Sequence, residues 1–141
     1  GWGESGSREA PGALRCAGGS KYGAQHSQDW TALCAHIPGL KVLYPATPYD
    51  AKGLMASALS SEDPVVFFES QRLYDSVETF RTDGVPADYY RIAMGEPDIK
   101  RDGKDVTVLT IGPSLFPALA AADQLEQNLS LIHISEPTRP Y

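Results

Sequence analysis

The chain has 141 residues, a net charge of −6 and 42% hydrophobic against 21% charged residues. That is enough for one packed domain and part of another, and too acidic for a nucleic-acid footprint of clustered Lys and Arg. No apolar run approaches the roughly 20 residues of a membrane helix, and no export leader is visible.

Residues 1–10 have no hydrophobic period and read as unstructured or foreign. Residues 11–16 suit a short strand leading into a turn, Ala17-Gly18-Gly19-Ser20-Lys21-Tyr22-Gly23. The Gly-Gly-Ser-Lys part lacks the spacings of phosphate-binding loops and reads as a flexible turn. His26 follows in a loop of small and amide neighbours and is expected to open a helix. Trp30, Leu33, Cys34 and Ile37 recur at i, i+3, i+4 and i+7, one apolar helix face, which Pro38-Gly39 ends. His36 lies at that end as a C-terminal cap. Cys16 and Cys34 lack metal-ligand spacing and read as reduced, packed thiols of a cytosolic protein; a disulfide is permitted and not demanded.

Residues 41–44 form a short β-rich run. Thr47 then caps a helix with Pro48 at its first position and Asp50 three residues after the cap, and Ala51, Leu54, Met55, Ala58 and Leu59 form its buried stripe. Val65-Val66-Phe67-Phe68 is unbroken and apolar, as a strand covered on both faces of a parallel sheet would be. Strand, helix, strand, helix, strand gives α/β with a parallel sheet flanked by helices. Residues 70–92 read as a long connection. Residues 93–101 suit an edge strand, and Asp102-Gly103 signals a hairpin into a strand at 105–111. Ser114 caps a last helix with Leu115, Ala118, Leu119 and Ala122 as its stripe.

The end of the chain departs from this pattern. Residues 129–139, LSLIHISEPTR, resemble the translated end of a transposase sequencing adapter, so they are expected to find no packing partner. The other reading is an ordinary short strand, LSLIHI. His133 lies in this tail and carries no functional weight. If the adapter reading holds, the natural protein continues differently beyond Gln127.

Four segments carry a further resemblance: GAQHSQ, HIPGLKVLYPATPYDAKGL, DPVVFFES..LY and GKDVTVLTIGPSLFPALAAADQL. Together they resemble the beta subunit of the thiamine-diphosphate-dependent first component of 2-oxo acid dehydrogenase complexes, of the pyruvate, branched-chain or acetoin type. The likeness covers about residues 11–127. It implies that residues 11–92 are the second half of a transketolase-like pyrimidine-binding domain. Residues 93–128 would begin the C-terminal domain, and residues 129–141 would be the adapter-derived tail.

The implied activity is oxidative decarboxylation of a 2-oxo acid with acyl transfer to a lipoyl group. The implied partners are an alpha subunit that binds the diphosphate and its magnesium, a second beta subunit and a lipoyl acyltransferase, with no nucleic acid and no membrane. By resemblance His26 is the active-site histidine, with Gln25 at the cofactor and Ser27 helping to orient the ring. A lone histidine at a helix start is more often a cap than a catalyst, so the surrounding motif carries that reading. The family also places potassium where this chain has Ala58, Leu59, Ser61 and Asp63. Many relatives have an acid at Ser61 and an amide at Asp63, which weakens the side-chain ligands and leaves the two carbonyls. The family's carboxylate against the aminopyrimidine and its Gly-Asp-Gly…Asn diphosphate motif have no counterpart in this sequence. The alternatives are a non-catalytic α/β assembly module and another transketolase-like thiamine-diphosphate enzyme.

Overall fold

The computed structural model describes residues 10–19, 23–126 and the strand at 132–137. The expected reading of residues 1–9, of Ser20 and Lys21, and of 129–131 therefore lies outside the described residues. The first sheet holds β1 (Gly12–Gly18), β2 (Lys41–Leu43) and β3 (Pro64–Ser70), all parallel, in the order β1-β3-β2. The apolar run Val65 to Phe68 thus occupies the centre, as its unbroken pattern predicts. Each of its four side chains is buried.

The two faces are covered unequally. Helix α3 (Pro48–Leu59) lays Leu54 and Ala58 on Leu43, Val65 and Phe67. Burying a Leu, Val or Phe side chain stabilises by roughly 1.5–3 kcal/mol, so Leu43, Leu54, Val65 and Phe67 contribute most on this face. Its start follows the expected cap. Thr47 Oγ1 accepts from the Asp50 N–H at 3.1 Å and donates to Asp50 Oδ2 at 2.7 Å. One member of the expected stripe fails: Leu59, the last helical residue, is 72% exposed.

On the other face Val42, Tyr44, Val66 and Phe68 meet Cys16, Cys34, Ala35 and Leu40. Here the expected long helix is replaced by two short ones, α1 (Gly23–His26) and α2 (Thr31–Ala35). His26 therefore closes a helix instead of opening one. A five-residue helix makes little more than one turn and cannot lay the eight-residue stripe from Trp30 to Ile37 on a sheet. Trp30, Leu33 and Ile37 consequently stay about half exposed. His36 is the C-cap of α2, its N–H donating to the Ala32 carbonyl at 3.1 Å.

The second sheet contains β4 (Pro97–Arg101), β5 (Val106–Leu109) and β6 (Ile132–Pro137), in the order β4-β6-β5. Two expectations change here. The Asp102-Gly103 hairpin does not pair β4 with β5, because β6 lies between them, antiparallel to β4 and parallel to β5. Residues 132–137, expected to be unpartnered, are that central strand. The gap between two strands with open edges accepts an alternating β-branched segment whatever its origin. Helix α4 (Leu115–Leu125) lies in the connection that joins the parallel pair β5 and β6. It packs Leu115 and Ala122 against Ala46, with Phe80 and Val108 alongside. Ser114 does not cap it forward. Its hydroxyl donates back to the Ile111 carbonyl at 2.7 Å and accepts the Ile111 N–H at 3.0 Å.

The long connection is fastened to the start of α3. Glu78 accepts the Tyr49 N–H at 3.0 Å, Tyr90 stacks on Tyr49 at 4.7 Å, and Arg81 lies 3.5 Å over the Tyr49 ring. Beside them Lys100 of β4 reaches across to Asp50 at 3.0 Å and to Asp98 at 2.7 Å, with only 5% of its side chain exposed. Burial alone would push the Lys100 ammonium down, but the hydrogen bond to Asp98 and the charge of Asp50 outweigh it, and its pKa is raised. We expect Lys100→Met to leave the Asp50 carboxylate buried without a counter-charge and to cost about 3 kcal/mol. Urea unfolding monitored by far-UV circular dichroism measures this, and an unchanged midpoint would contradict it.

Candidate functional site

In open parallel sheets ligands bind beyond the carboxyl ends of the strands. At that end of the first sheet lie Gly18 and Gly19, α1, Tyr44 and the residues after it, and Glu69 to Gln71. A cavity of about 300 Å³ opens there, lined by Ala46, Thr47, Phe67, Glu69, Ser70 and Tyr74 among others. A larger cleft of about 430 Å³ lies at the other end, beside Lys41, Ser61 and Asp63. The smaller one has the position that parallel-sheet geometry favours.

Backbone conformation shapes this end. A side chain on Gly18 would meet the Gln28 carbonyl at 2.9 Å, so the loop after β1 is folded back against the strand. Gly19 has φ +64, and a side chain there would come within 3.6 Å of Ser70 Oγ and 3.7 Å of the Tyr44 hydroxyl. Gly112, with φ +54, brings the second unit to the same place, since a Cβ would sit 2.8 Å from the Tyr44 ring. Ser70 Oγ, Gln71 Oε1 and Thr110 Oγ1 are buried at these strand ends with no hydrogen-bond partner among the described residues.

Among the expected site residues, Gln25 and His26 both lie on α1 at this end, and both are exposed. Ser27 Oγ donates to the Gly23 carbonyl at 2.6 Å and closes that turn. The structure adds a group that sequence reading missed. Arg15 forks onto Glu69 at 2.6 and 2.8 Å, and the Tyr74 hydroxyl donates to the same carboxylate at 3.0 Å. Only the pairing of β1 with β3 puts Arg15 and Glu69 on one face, and the sequence carries no local signal for it. The hydrogen bond from Arg15 holds the Glu69 carboxyl below its ordinary range against the opposing effect of burial. Burial, and then the bond to Glu69, push the Tyr74 phenol up. Burial also raises the Tyr44 phenol, with the Asp29 charge adding to it.

The remaining expected residues lie elsewhere. Ala58, Leu59, Ser61 and Asp63 cluster at the end of α3 and before β3, a strand length of roughly 20 Å from its carboxyl end. Lys41 Nζ lies 2.9 Å from Asp63 Oδ2 and 3.3 Å from Ser61 Oγ, and the Ser61 N–H donates to the Ala58 carbonyl at 3.2 Å. The Asp63 and Ser61 side chains are thus engaged by Lys41, and the Ala58 carbonyl by the Ser61 N–H. No three His, Cys, Asp or Glu groups among the described residues converge to hold a metal. The first N–H groups of α3 are also taken, Tyr49 by Glu78 and Asp50 by Thr47, so they offer nothing to a diphosphate.

Two outcomes follow. A carboxyl with a depressed folded pKa contributes stability above its ordinary range and loses it as acidification passes the folded pKa. Arg15→Gln should therefore raise the Glu69 pKa toward its ordinary value, read by carbon-detected NMR titration of the carboxyl; an unmoved titration would contradict the pairing. The thermal midpoint should be equal in potassium and tetramethylammonium salts at matched ionic strength. A midpoint higher in potassium would place an ion where Lys41 sits.

Comparison with known proteins extends this picture. Residues 13–76 match the family model described as the transketolase pyrimidine binding domain. The chain is 46% identical over 118 residues to the 2-oxoisovalerate dehydrogenase subunit beta of Bacillus subtilis, covering 83% of this chain and 35% of that one. It is 46% identical over 103 residues to the pyruvate dehydrogenase E1 component subunit beta of the same organism, covering 73% and 30%. It is 46% identical over 122 residues to the acetoin:2,6-dichlorophenolindophenol oxidoreductase subunit beta of Cupriavidus necator, covering 85% and 35%. Among solved structures it is similar to a split-gene transketolase described as an inactive beta4 tetramer. That match has a TM-score of 0.68 and 24% identity, and it covers 90% of this chain and 39% of the other. The transketolase of Leishmania mexicana matches with a TM-score of 0.62 and 18% identity, covering 88% and 18%. These last two likenesses concern the fold alone.

Proposed function

The chain belongs to the family of 2-oxo acid dehydrogenase beta subunits, spanning about a third of the relatives it matches, and on that premise we propose that it forms one wall of their active site. The reaction is oxidative decarboxylation of a 2-oxo acid with acyl transfer to a lipoyl group. What supports this is that His26 is exposed on a short helix following β1, at the end of the sheet where parallel-sheet proteins bind ligands.

In this reading residues 11–92 are part of the pyrimidine-binding domain and residues 93–128 begin the C-terminal domain. Thiamine diphosphate, when bound, supplies the stabilised carbanion through which carbon dioxide is lost. By the family's pattern the alpha subunit holds its diphosphate and magnesium, and the first N–H groups of α3 in this chain are already taken by Glu78 and Thr47. Imidazole is suited to moving a proton near neutral pH, so His26 handles the proton at its ring nitrogen as acyl transfer to the lipoyl sulfur proceeds. Gln25, its neighbour on α1, would contact the cofactor. Glu69, fixed by Arg15 and Tyr74, stays ionised and frames the cavity. The complete assembly contains an alpha subunit, a second beta subunit and the lipoyl acyltransferase, in the bacterial cytoplasm.

The test is a chimera. Residues 11–126 replace the matching segment of the Bacillus subtilis pyruvate dehydrogenase beta subunit, which is produced with its alpha subunit. The chimera should turn over, and His26→Ala should lower lipoyl acylation by about 100-fold or more. A folded, assembled but inactive chimera would favour a non-catalytic assembly module. The isolated chain should not bind thiamine diphosphate at micromolar concentration by calorimetry.

A further inference from the structure

Cys16 and Cys34 take no part in the site described above. Cys16 lies on β1 in register with Phe68 of β3. Cys34 lies on α2, which covers the same face, and both side chains pack, half-buried, against the cluster of Val42, Tyr44, Val66 and Phe68. They are near enough to interact electrostatically: burial first, and then Cys34, push the Cys16 thiol up, which keeps it a thiol in the resting protein. The segment between them contains the Gly18-Gly19 turn, α1 with His26, and the Asp29 side chain that receives both the N–H and the hydroxyl of Thr31. Helix α2 is lightly held. It has five residues, and its neighbours Trp30 and Ile37 and its own Leu33 are about half exposed.

We propose that Cys16 and Cys34 form a dithiol which a peroxide oxidises to a disulfide, stapling α2 to β1 and closing the segment that carries His26 into a loop. One cysteine sulfur, as thiolate, attacks a peroxide oxygen. The O–O bond breaks, a sulfenic acid forms and the first water leaves. The second sulfur attacks the sulfenic sulfur, the S–O bond breaks, the S–S bond forms, and the displaced hydroxide leaves as water with the second thiol's proton. Two thiols and one peroxide give one disulfide and two waters, with two electrons passing from sulfur to oxygen. A dithiol reductant reverses the step. The regulatory meaning rests on His26 being the working residue, whereas the bond itself does not.

The full chain is treated with hydrogen peroxide, quenched by alkylation and weighed intact. The expected product is a monomer lighter by about 2 Da that takes up no alkylating agent, yields a Cys16–Cys34 cross-linked peptide and is restored by dithiothreitol. The bond should form about tenfold faster, or more, in the folded chain than in urea, because the fold holds the sulfurs together. Amide exchange across the His26 peptide should slow after oxidation. Sulfinic acid, intermolecular dimers, or equal rates in the folded and urea-unfolded chain would overturn the dithiol. Unchanged exchange would overturn the staple. If Cys34→Ser does not fold, the comparison of folded with unfolded wild type still decides. Failure here leaves the chimera experiment untouched, since that reads His26 with both thiols reduced.

Discussion

A buried carboxylate organises this molecule. Asp50 sits three residues into α3, takes the hydroxyl and serves the cap of Thr47, and faces the Lys100 ammonium of the other sheet. A charge removed from water is tolerated only when its partners are fixed, and here the partners come from both units. The same position therefore sets where α3 begins and where β4 approaches it. The aromatic stack of Tyr49 and Tyr90 and the carboxylate of Glu78 surround this point, and Gly53 lets Ile92 and Tyr90 come closer than any side chain would allow. The long connection is irregular in outline but anchored along its course.

From that anchor the two ends of the first sheet acquire different characters. The carboxyl end gathers groups with unspent hydrogen-bonding capacity, Ser70, Gln71 and Thr110, together with an exposed imidazole and two glycines that hold the backbone close. The amino end gathers opposite charges that satisfy one another, Lys41 with Asp63 and Ser61. A surface whose polar groups are already matched has little left to offer a ligand. One whose groups are buried and unmatched has more.

What the sequence disclosed was mostly local. Thr47, Pro48 and Asp50 lie within four residues and specify a helix start by chemistry alone. Val65 to Phe68 needs no partner to declare itself a covered strand. The Arg15–Glu69–Tyr74 group was invisible because a parallel register joins residues 54 apart, and no short-range signal encodes that pairing. The stripe of Trp30, Leu33 and Ile37 misled for the opposite reason. Its period is helical, but the backbone breaks into two short helices and the side chains never reach the sheet. The turn at Asp102-Gly103 was read correctly as a reversal and wrongly as a hairpin, because turn residues say nothing about which strand later enters between the two arms. The small and amide neighbours of His26 were legible in the motif, whereas the approach of Gly19 and Gly112 to Tyr44 required the sheet.

Both sheets place their last strand in the middle: β3 between β1 and β2, and β6 between β4 and β5. Within the described residues β1 and β2 meet only through β3, so residues 12–18 and 41–43 are joined when both have been brought to residues 64–70. That arrangement places the closure of long loops before the reward in hydrogen bonds, and such a ladder assembles more slowly than one built from adjacent hairpins.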